Sequence, residues 1–416
     1  MNKSGNATHF LCDECGSEVD LHQIVSICPK CGGLLETQYD LKGLKKSSHL
    51  FSEYVRDSIW RYRDFFPAVQ DKNIVSLGEG GTPLTKSVFL GPSLGFDNLY
   101  FKNDTLMPTG SFKDRGFSLA ISYAKELGVK RGVTYSSGNA GASFSAYSAR
   151  GNFPGLVMVD YQASPTKKSM ILLYGMNATV LNATNFQEIE LLIEQSVTVL
   201  GCYPFVNFIN PIRHEAMKTY AYEIYSELRR VPDYSFHSIG TGGGLWGAWK
   251  GYNELAQMGV TDKVPHMAAV QPECVNWLKR AIENGAEVIA PYGDGTKTIA
   301  QSINGNSPLQ GGKRLLKAVR DSKGLAISVT DEEIRSAMLD LGHEGIAAEP
   351  SSASAVAGFK QKAREGILHS EDLIVCVITG SALKQPKVVE QIVSTPKYEI
   401  DAKVDELRDL LEKLGL

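Results

Sequence analysis

Residues 108–116 read PTGSFKDRG, and a helix is predicted to begin within this segment and to run over 112–127. Lys113 therefore falls in the opening turn of a helix, an end that already carries partial positive charge. A second positive charge is disfavoured there, so we expect the pKa of Lys113 to fall. The neutral amine is the form that attacks a carbonyl group to make a Schiff base. A solvated surface lysine is the alternative, and three further segments bear on the choice.

The segment SSGNAG, residues 136–141, joins a predicted strand to a predicted helix. Backbone N–H groups at a helix N-terminus, together with the hydroxyls of Ser136 and Ser137, form an anion site suited to a carboxylate. The Asn139 amide can donate a hydrogen bond to a hydroxyl oxygen on an aromatic ring. Taken alone, the segment is also compatible with an ordinary strand-to-helix turn.

A glycine-rich loop, GTGGG, occupies residues 240–244 between another predicted strand and helix. Glycines let the backbone wrap closely around a phosphate group, and the helix N-terminus adds a favourable dipole. No acidic residue follows a strand about twenty positions on, as a dinucleotide site needs, and no Gly-Lys-Ser/Thr follows as in a P-loop. The loop therefore predicts a phosphate site formed by Gly240, Thr241, Gly242, Gly243 and Gly244.

The fourth segment, TGSALK at residues 379–384, directly follows an apolar predicted strand over 373–378. A hydroxyl at the carboxyl end of a parallel strand lies where such sheets bind ligands. Thr379 or Ser381 can donate a hydrogen bond to a pyridine nitrogen without protonating it. The agreement of the four segments favours a Schiff-base lysine at position 113 over a surface lysine.

Four cysteines lie near the start of the chain, as two CxxC pairs with twelve residues between them. Such pairs can bring four thiolates to one tetrahedral zinc ion, and the alternative is a ribbon that folds without metal. Zinc is favoured because all four thiols are present. Its role would be structural, since four protein ligands leave no open position for catalysis. The predicted ligands are Cys12, Cys15, Cys28 and Cys31.

The composition is that of an ordinary globular protein and argues against several classes. The 416 residues are 43% hydrophobic and 21% charged, with a formal net charge of -3. This balance gives no support to a nucleic-acid or anionic-membrane partner. The first residues lack the apolar core of a secretory signal, and no apolar run reaches the roughly 18 residues needed to span a bilayer. We therefore expect a cytoplasmic protein.

From residue 74 onward, short apolar or β-branched runs alternate with longer helical stretches. This alternation is typical of an α/β fold with mainly parallel sheets covered by helices on both faces. A helix is also predicted through 51–63, before this pattern starts. At the C-terminus, Val404, Leu407, Leu411 and Leu414 recur at helical spacing and predict an amphipathic helix.

Together, the motifs resemble those of the threonine synthase family of fold-type II enzymes that use pyridoxal phosphate (PLP). The resemblance runs from the cysteine pairs to about residue 389. SLGEGGTPL at 76–84 resembles the entry motif of the family, and PTGSFKDRG is similar to its cofactor-lysine motif. Asn-Pro-Ile-Arg at 210–213 is similar to its substrate-phosphate segment. EPSSA at 349–353 and the TGSALK segment follow in the family order.

The resemblance implies a role for each segment. Lys113 would carry PLP as a Schiff base and act as the catalytic residue. The loop over 240–244 would hold the PLP phosphate, Asn139 would face the ring hydroxyl and Thr379 the pyridine nitrogen. Arg213 would take a substrate phosphate, because its planar fork matches phosphate oxygens. The substrate-binding residues implied in this way are Thr109, Ser111, Ser136, Ser137 and Arg213.

The resemblance also implies the domain organisation. We expect a fold-type II α/β fold, like that of the tryptophan synthase β chain, with two mainly parallel sheet domains, the cofactor in the cleft, and a homodimer. The predicted parts are a four-cysteine zinc ribbon over 1–40, a helical connector over 41–75, a large PLP-binding domain from 76–104 and 216–395, a small domain over 105–215 that carries Lys113, and a C-terminal amphipathic helix over 396–416.

The implied reaction is that of a lyase of threonine biosynthesis, which converts O-phospho-L-homoserine and water to L-threonine and phosphate. Met107, Ala216, Met217 and Ala382 depart from the family pattern. They motivate an alternative, a related PLP enzyme that performs β- or γ-replacement or ammonia-lyase chemistry on another phosphorylated or activated amino acid. An alternative of another class is a non-catalytic zinc-ribbon binding protein, against which Lys113 argues. PLP absorbance would separate the enzymes from the binding protein, and a panel of substrates would separate the two enzymes.

Overall fold

Continuous apolar runs form the strands at the centre of the protein. Ile374–Ile378, with the sequence IVCVI, is buried along its whole length, as expected for a parallel strand covered on both faces. The computed structural model describes residues 5–53, 55–136, 138–160, 165–175, 177–181, 186–290, 297–305, 312–393 and 398–416.

The strands are given first, in chain order. They are β1 Ala7–Cys12, β2 Glu18–Val19, β3 Leu35–Tyr39, β4 Leu84–Lys86, β5 Leu99–Asn103, β6 Gly132–Tyr135, β7 Gly155–Asp160, β8 Asn177–Leu181, β9 Tyr203–Pro204, β10 Tyr234–Ser238, β11 His266–Pro272, β12 Leu325–Val329 and β13 Ile374–Ile378.

The α-helices follow, and most of the longer ones alternate with the strands. They are α1 Leu41–Leu44, α2 Leu90–Ser93, α3 Lys113–Glu126, α4 Asn139–Gly151, α5 Pro165–Leu173, α6 Phe186–Thr198, α7 Thr219–Leu228, α8 Gly243–Gln257, α9 Trp277–Glu283, α10 Lys313–Asp321, α11 Asp331–His343, α12 Pro350–Arg364, α13 Pro386–Ile392 and α14 Val404–Leu414.

The described strands form three sheets. The N-terminal ribbon is antiparallel, in the order β2-β1-β3. A six-stranded sheet has the order β12-β11-β10-β13-β5-β4 and is parallel except that β4 pairs antiparallel with β5. A four-stranded parallel sheet has the order β8-β7-β6-β9. The predicted α/β class with mainly parallel sheets is confirmed.

The predicted helix through 51–63 is wrong. Two 3-10 helices, Lys45–Phe51 and Ile59–Phe65, flank an irregular segment, in which residue 54 lies outside the described part. Phe51 and Phe65 place their ring centroids 5.2 Å and 5.1 Å from the ring of Tyr222. Aromatic packing against α7 therefore sets this backbone, and it outweighs the local helical pattern.

The chain separates into two compact units, Met1–Lys384 and Gln385–Leu416. The second unit contains α13 and α14, so a C-terminal helix is present at Val404–Leu414. Its apolar residues at helical spacing are exposed, and they are Val404, Leu407, Leu411 and Leu414. Within the described ranges, no helix is both long and apolar enough to cross a lipid bilayer.

Candidate active site

The segment that carries Lys113 is anchored to the carboxyl end of β13. The backbone N–H of Phe112 donates to the carbonyl of Thr379 at 2.8 Å, and that of Ser381 donates to the carbonyl of Gly110 at 3.0 Å. The fold thus joins the lysine segment to the TGSALK segment, which lies more than two hundred residues later in the sequence.

Lys113 is the first residue of α3 and is partly buried. Its Nζ lies 4.2 Å from the centroid of the Phe112 ring. Burial lowers the pKa of Lys113 to about 7, and the positive charge of Arg213 adds to the shift while Glu349 opposes it. The direction agrees with the expectation from the sequence, but the main cause is burial rather than the helix end. At neutral pH a large share of this amine is uncharged, as a nucleophile requires.

Arg115 holds the first turn of α3 in place through buried partners. Its guanidinium is completely buried, donates to Asp104 at 2.9 Å, and forms an ion pair with Glu223. A Thr219 hydroxyl accepts from the same guanidinium at 2.7 Å. Because both carboxylates are buried with it, the charge of Arg115 is compensated, and its role is to hold the lysine segment in place.

Asp114 holds the loop before Lys113, a role that the sequence does not predict. Its carboxylate accepts from the Thr109 backbone N–H at 2.7 Å, from the Thr109 hydroxyl at 2.6 Å and from the Ser143 hydroxyl at 2.6 Å. Burial raises the pKa of Asp114 to about 6. The hydroxyl hydrogen of Thr109 is therefore committed to Asp114. The Ser111 hydroxyl, in contrast, is buried and has no hydrogen-bond partner within the described residues.

Asn139, the first residue of α4, meets Glu349 at the start of α12. The Asn139 amide donates to a Glu349 carboxylate oxygen at 2.8 Å. A Cβ added to Gly380 would lie 2.8 Å from that Glu349 oxygen and 3.4 Å from the Asn139 amide nitrogen, so the three residues meet closely. In the loop before Asn139, the Ser136 hydroxyl accepts from the Gly138 N–H at 3.1 Å. Ser137 lies outside the described residues.

Three hydroxyls gather at the carboxyl ends of β10 and β13. Thr379 Oγ1 lies 2.8 Å from Ser352 Oγ and 3.5 Å from Ser238 Oγ. The Ser352 hydroxyl also accepts from the Gly380 N–H at 2.7 Å. Neither serine was singled out from the sequence as a site residue. Both are brought to Thr379 by the sheet order and by the helix that begins at Pro350.

The glycine-rich loop begins α8 and approaches the lysine segment. Gly242 adopts a φ of 87°, a conformation that favours glycine. A Cβ on Gly244 would lie 3.3 Å from the Phe112 ring, and one on Gly243 would lie 2.7 Å from the Asn207 amide oxygen. The Asn207 amide also donates to the Thr241 hydroxyl. The loop is therefore a close-fitting backbone cradle next to Lys113 that leads into the N-terminus of α8.

Arg213 is buried, with 4% of its surface exposed, and is charged without a carboxylate partner in the described residues. Its Nη1 donates to the Phe205 carbonyl at 2.9 Å, and its guanidinium lies 4.2 Å from the Phe117 ring centroid. Its Nε has no hydrogen-bond partner there. Burial lowers the pKa of Arg213 to about 9, so it is still cationic at neutral pH. A buried, unpaired guanidinium is a ready site for an anion.

The four N-terminal cysteines converge as predicted. Their sulfur atoms all lie within 4.8 Å of one another, with Cys12 to Cys31 at 3.4 Å and Cys15 to Cys28 at 3.7 Å. A zinc tetrahedron with Zn–S bonds of about 2.3 Å has S–S edges of about 3.8 Å. The cysteines therefore fit a tetrahedral ion of this size.

Comparison with known proteins agrees with this geometry. The sequence profile of the pyridoxal-phosphate dependent enzymes matches residues 75–380, so the chain belongs to that family. The curated threonine synthase of Methanosarcina acetivorans is 34% identical over 406 residues, which cover 97% of this chain and 98% of the relative. That of Methanocaldococcus jannaschii is 37% identical over 410 residues, covering 97% and 99%. Within its class, the chain is a member of the threonine synthase family.

The fold is also shared with solved structures. The processed form of threonine deaminase isoform 2 from Solanum lycopersicum superposes with a TM-score of 0.65 and covers 83% of this chain and 98% of that one. The sequence identity is 18%, so the likeness concerns the fold. It confirms the predicted fold-type II architecture.

The residues present fit PLP. An amine with a lowered pKa, a backbone cradle that needs glycine, and a strand-end hydroxyl cluster lie around one segment of chain. These are the groups that the aldehyde, the phosphate and the pyridine nitrogen of this cofactor require.

Proposed function

We propose that this protein is a threonine synthase that converts O-phospho-L-homoserine and water to L-threonine and phosphate. The observation that carries the proposal is Arg213, a buried guanidinium without a carboxylate partner in the described residues, close enough to Lys113 to lower its pKa. A substrate that brings its own phosphate supplies the missing anion. The threonine synthase relatives, matched over nearly the full chain, support the same substrate.

The cofactor placement proposed from the sequence is compatible with these contacts. Lys113 would hold PLP, the loop over 240–244 its phosphate, and Thr379 its pyridine nitrogen. Thr379 is a neutral hydroxyl within a hydroxyl cluster, so it would leave the pyridine nitrogen unprotonated. Asn139 would face the ring hydroxyl from its position against Glu349.

PLP, when bound, withdraws electrons from the substrate carbon atoms and makes their protons acidic. A large share of the Lys113 amine is uncharged near pH 7, so this amine would take a proton from Cα of the substrate and then from Cβ. Arg213 binds the phosphate and stabilises the negative charge that builds as this group leaves Cγ. Water then adds at Cβ, and Lys113 returns protons to Cγ and Cα.

Two of the residues that depart from the family pattern, Met107 and Met217, have a role in packing. A Cβ on Gly247 would collide with Met217 Cβ, and one on Gly116 would lie 3.1 Å from Met217 Cε. Met217 therefore fills the space between α3 and α8. Met107 is buried, and its sulfur accepts from the Gly80 N–H at 3.4 Å. These contacts explain both methionines without a change of substrate.

The proposed reaction makes a direct prediction. The purified protein should release equal amounts of L-threonine and inorganic phosphate from O-phospho-L-homoserine. Consumption of O-phospho-L-serine, O-acetyl-L-homoserine, L-serine and L-threonine should show much lower kcat/KM, since none of these compounds combines the phosphate with the right chain length. If another member of this panel is turned over best, the replacement or ammonia-lyase alternative replaces our assignment.

We also propose that Cys12, Cys15, Cys28 and Cys31 hold one structural zinc ion. The ribbon spans only about forty residues, a length at which a domain usually needs a metal or disulfides, so a metal would supply much of its folding energy. The cytoplasmic location, the homodimer and the domain boundaries inferred from the sequence stay predictions.

Metal analysis should find about one zinc ion per chain, as expected for a site with four thiolate ligands. The double variant Cys12→Ser/Cys15→Ser should lose it, because two oxygen atoms replace thiolate ligands. Cys202→Ser is the matched control, since Cys202 packs against the cluster of Val133 and Met158 and is not one of the four converging thiols, so it should keep the metal. A parent protein purified without chelators that contains no zinc contradicts the proposal.

A further inference from the structure

A buried carboxylate links the N-terminal ribbon to the body of the protein. Glu36 on β3 accepts from the Trp246 indole N–H at 3.1 Å and pairs with Arg314 at 3.2 Å. It also forms an ion pair with Lys250, and its oxygen lies 3.3 Å from His214 Nε2. Glu36 is 8% exposed, so these contacts are shielded from water.

The partners of Glu36 adjoin two parts of the candidate active site. His214 directly follows Arg213 and has no exposed surface. Trp246 lies in the first turn of α8, where its backbone N–H donates to the Gly242 carbonyl at 3.0 Å. One carboxylate of the ribbon therefore connects the segment of Arg213 to the helix that begins with the glycine-rich loop.

The side chain of Arg213 lies against the Phe117 ring and has no ion pair with a carboxylate in the described residues. Its hydrogen bond within the described residues is to the Phe205 carbonyl, and its Nε is left for an anion. The direction of its side chain thus depends on where its backbone lies, and His214 is the next residue along that backbone. Arg314 reinforces the link, because its Nη1 lies 3.3 Å from His214 Nε2.

The same cluster does not require a metal ion. Oxygen and nitrogen atoms of Glu36, His214 and Glu215 lie within 4.8 Å of one another. However, Lys250 pairs with both carboxylates, and Lys218 pairs with Glu215 at 3.0 Å. Protein cations already balance the negative charge, so the cluster is a structural link rather than a metal site.

We propose that Glu36 is a positioning residue for Arg213. By holding His214 against α8, it sets the position of Arg213 relative to the glycine-rich loop, and therefore the fit of a phosphorylated substrate. This inference rests on the proposed function, in which Arg213 binds the substrate phosphate. The ribbon would then act in substrate binding through one buried side chain, although it carries none of the cofactor motifs.

The test compares Glu36→Gln with Glu14→Gln in the full-length holoenzyme. Glu14 is also a ribbon carboxylate, and it pairs with Lys313 on α10 at 2.7 Å, but it is partly exposed, and its ion pairs and hydrogen bonds with described residues include none with His214 or α8. Glu36→Gln should raise the KM for O-phospho-L-homoserine and the inhibition constant of inorganic phosphate roughly tenfold, the scale of coupling within one network. The PLP absorbance band and kcat should change little, and Glu14→Gln should resemble the parent.

A double-mutant cycle separates positioning from general destabilisation. In an Arg213→Ala background, Glu36→Gln should not raise KM further, because the residue through which it acts is gone. An equal increase in both backgrounds, a parent-like KM for Glu36→Gln, or an equal effect of Glu14→Gln overturns the inference. If Arg213→Ala alone leaves KM and kcat near parent values, the proposed function fails first and the inference falls with it.

The charge-conserving variant Glu36→Asp keeps the inference testable if Glu36→Gln does not fold. Aspartate keeps the negative charge beside Arg314 and Lys250 but is shorter by one methylene, so it should give a KM between those of the parent and Glu36→Gln. Inorganic phosphate should also raise the melting temperature of Glu36→Asp less than that of the parent. A parent-like KM together with a parent-like phosphate shift overturns the inference.

Discussion

Replacement of Lys113 by alanine is expected to lower kcat/KM for O-phospho-L-homoserine by about 10⁴-fold or more, at least the upper range for loss of a general acid–base group. The loss should be this large because one side chain has two tasks, holding the cofactor and moving protons at the substrate. The hydrogen bonds to the β13 end and the ion pair of Arg115 with Asp104 hold this amine in one place. Steady-state kinetics of phosphate release measures the effect.

The parent protein should be yellow, and borohydride reduction followed by peptide mapping should place the pyridoxyl group on Lys113. Lys130→Ala is the matched control, because Lys130 is exposed just beyond the end of the same helix and should not affect activity. A pyridoxyl group on a different lysine, or a Lys113→Ala variant that keeps substantial activity, would overturn the assignment of the site.

Arg213→Ala is expected to lower kcat/KM for O-phospho-L-homoserine. The decrease should correspond to a loss of about 2–4 kcal/mol of transition-state stabilisation, the scale for removing a catalytic charge donor. The cofactor spectrum should be nearly unchanged, since Arg213 makes no contact with the glycine-rich loop or Thr379 among the hydrogen bonds of the described residues. Arg213→Lys should recover only part of the loss, because an ammonium group offers a point charge instead of a planar fork.

The substrate panel provides the internal control for Arg213. Slow reactions on unphosphorylated amino acids should be affected far less by Arg213→Ala than turnover of phosphohomoserine, because no phosphate is present to lose its partner. An equal loss on both kinds of substrate would mean that the substitution damages the fold, for instance through the cavity left against Phe117. Near-parent activity of Arg213→Ala on phosphohomoserine would contradict the proposal that Arg213 binds the substrate phosphate.

The four motif segments could be found from the sequence because each is local and has its own chemistry. The contacts that these segments make in the folded protein could not be found from the sequence. Asp114 sits beside Lys113 in the sequence, but its role depends on Ser143, which the fold brings to it. Glu349 and Ser352 lie in a recognised segment, yet their contacts with Asn139 and Thr379 follow from the sheet order. Strand register and helix placement are set by tertiary packing, which local patterns do not contain.

Some of the elements escaped prediction for a related reason. Strand β5, with the sequence LYFKN, buries Lys102 and Asn103, two residues that usually mark exposed positions. Lys102 is satisfied there by an ion pair with Glu223 at 2.7 Å and by the Thr82 carbonyl. A charged residue becomes compatible with a central strand only through distant partners, so a pattern of apolar residues misses it.

The position of β13 has a consequence for synthesis on the ribosome. This strand lies between β10 and β5, and the residues after it anchor the segment of Lys113. During synthesis, every strand of the four-stranded sheet leaves the ribosome well before β13 does. Strand β5 therefore has no parallel neighbour until β13 has been made. The amine can reach its final surroundings only after β13 and the residues that follow it have been synthesised. Capture of the cofactor therefore requires β13, and a product truncated before residue 374 should lack the cofactor.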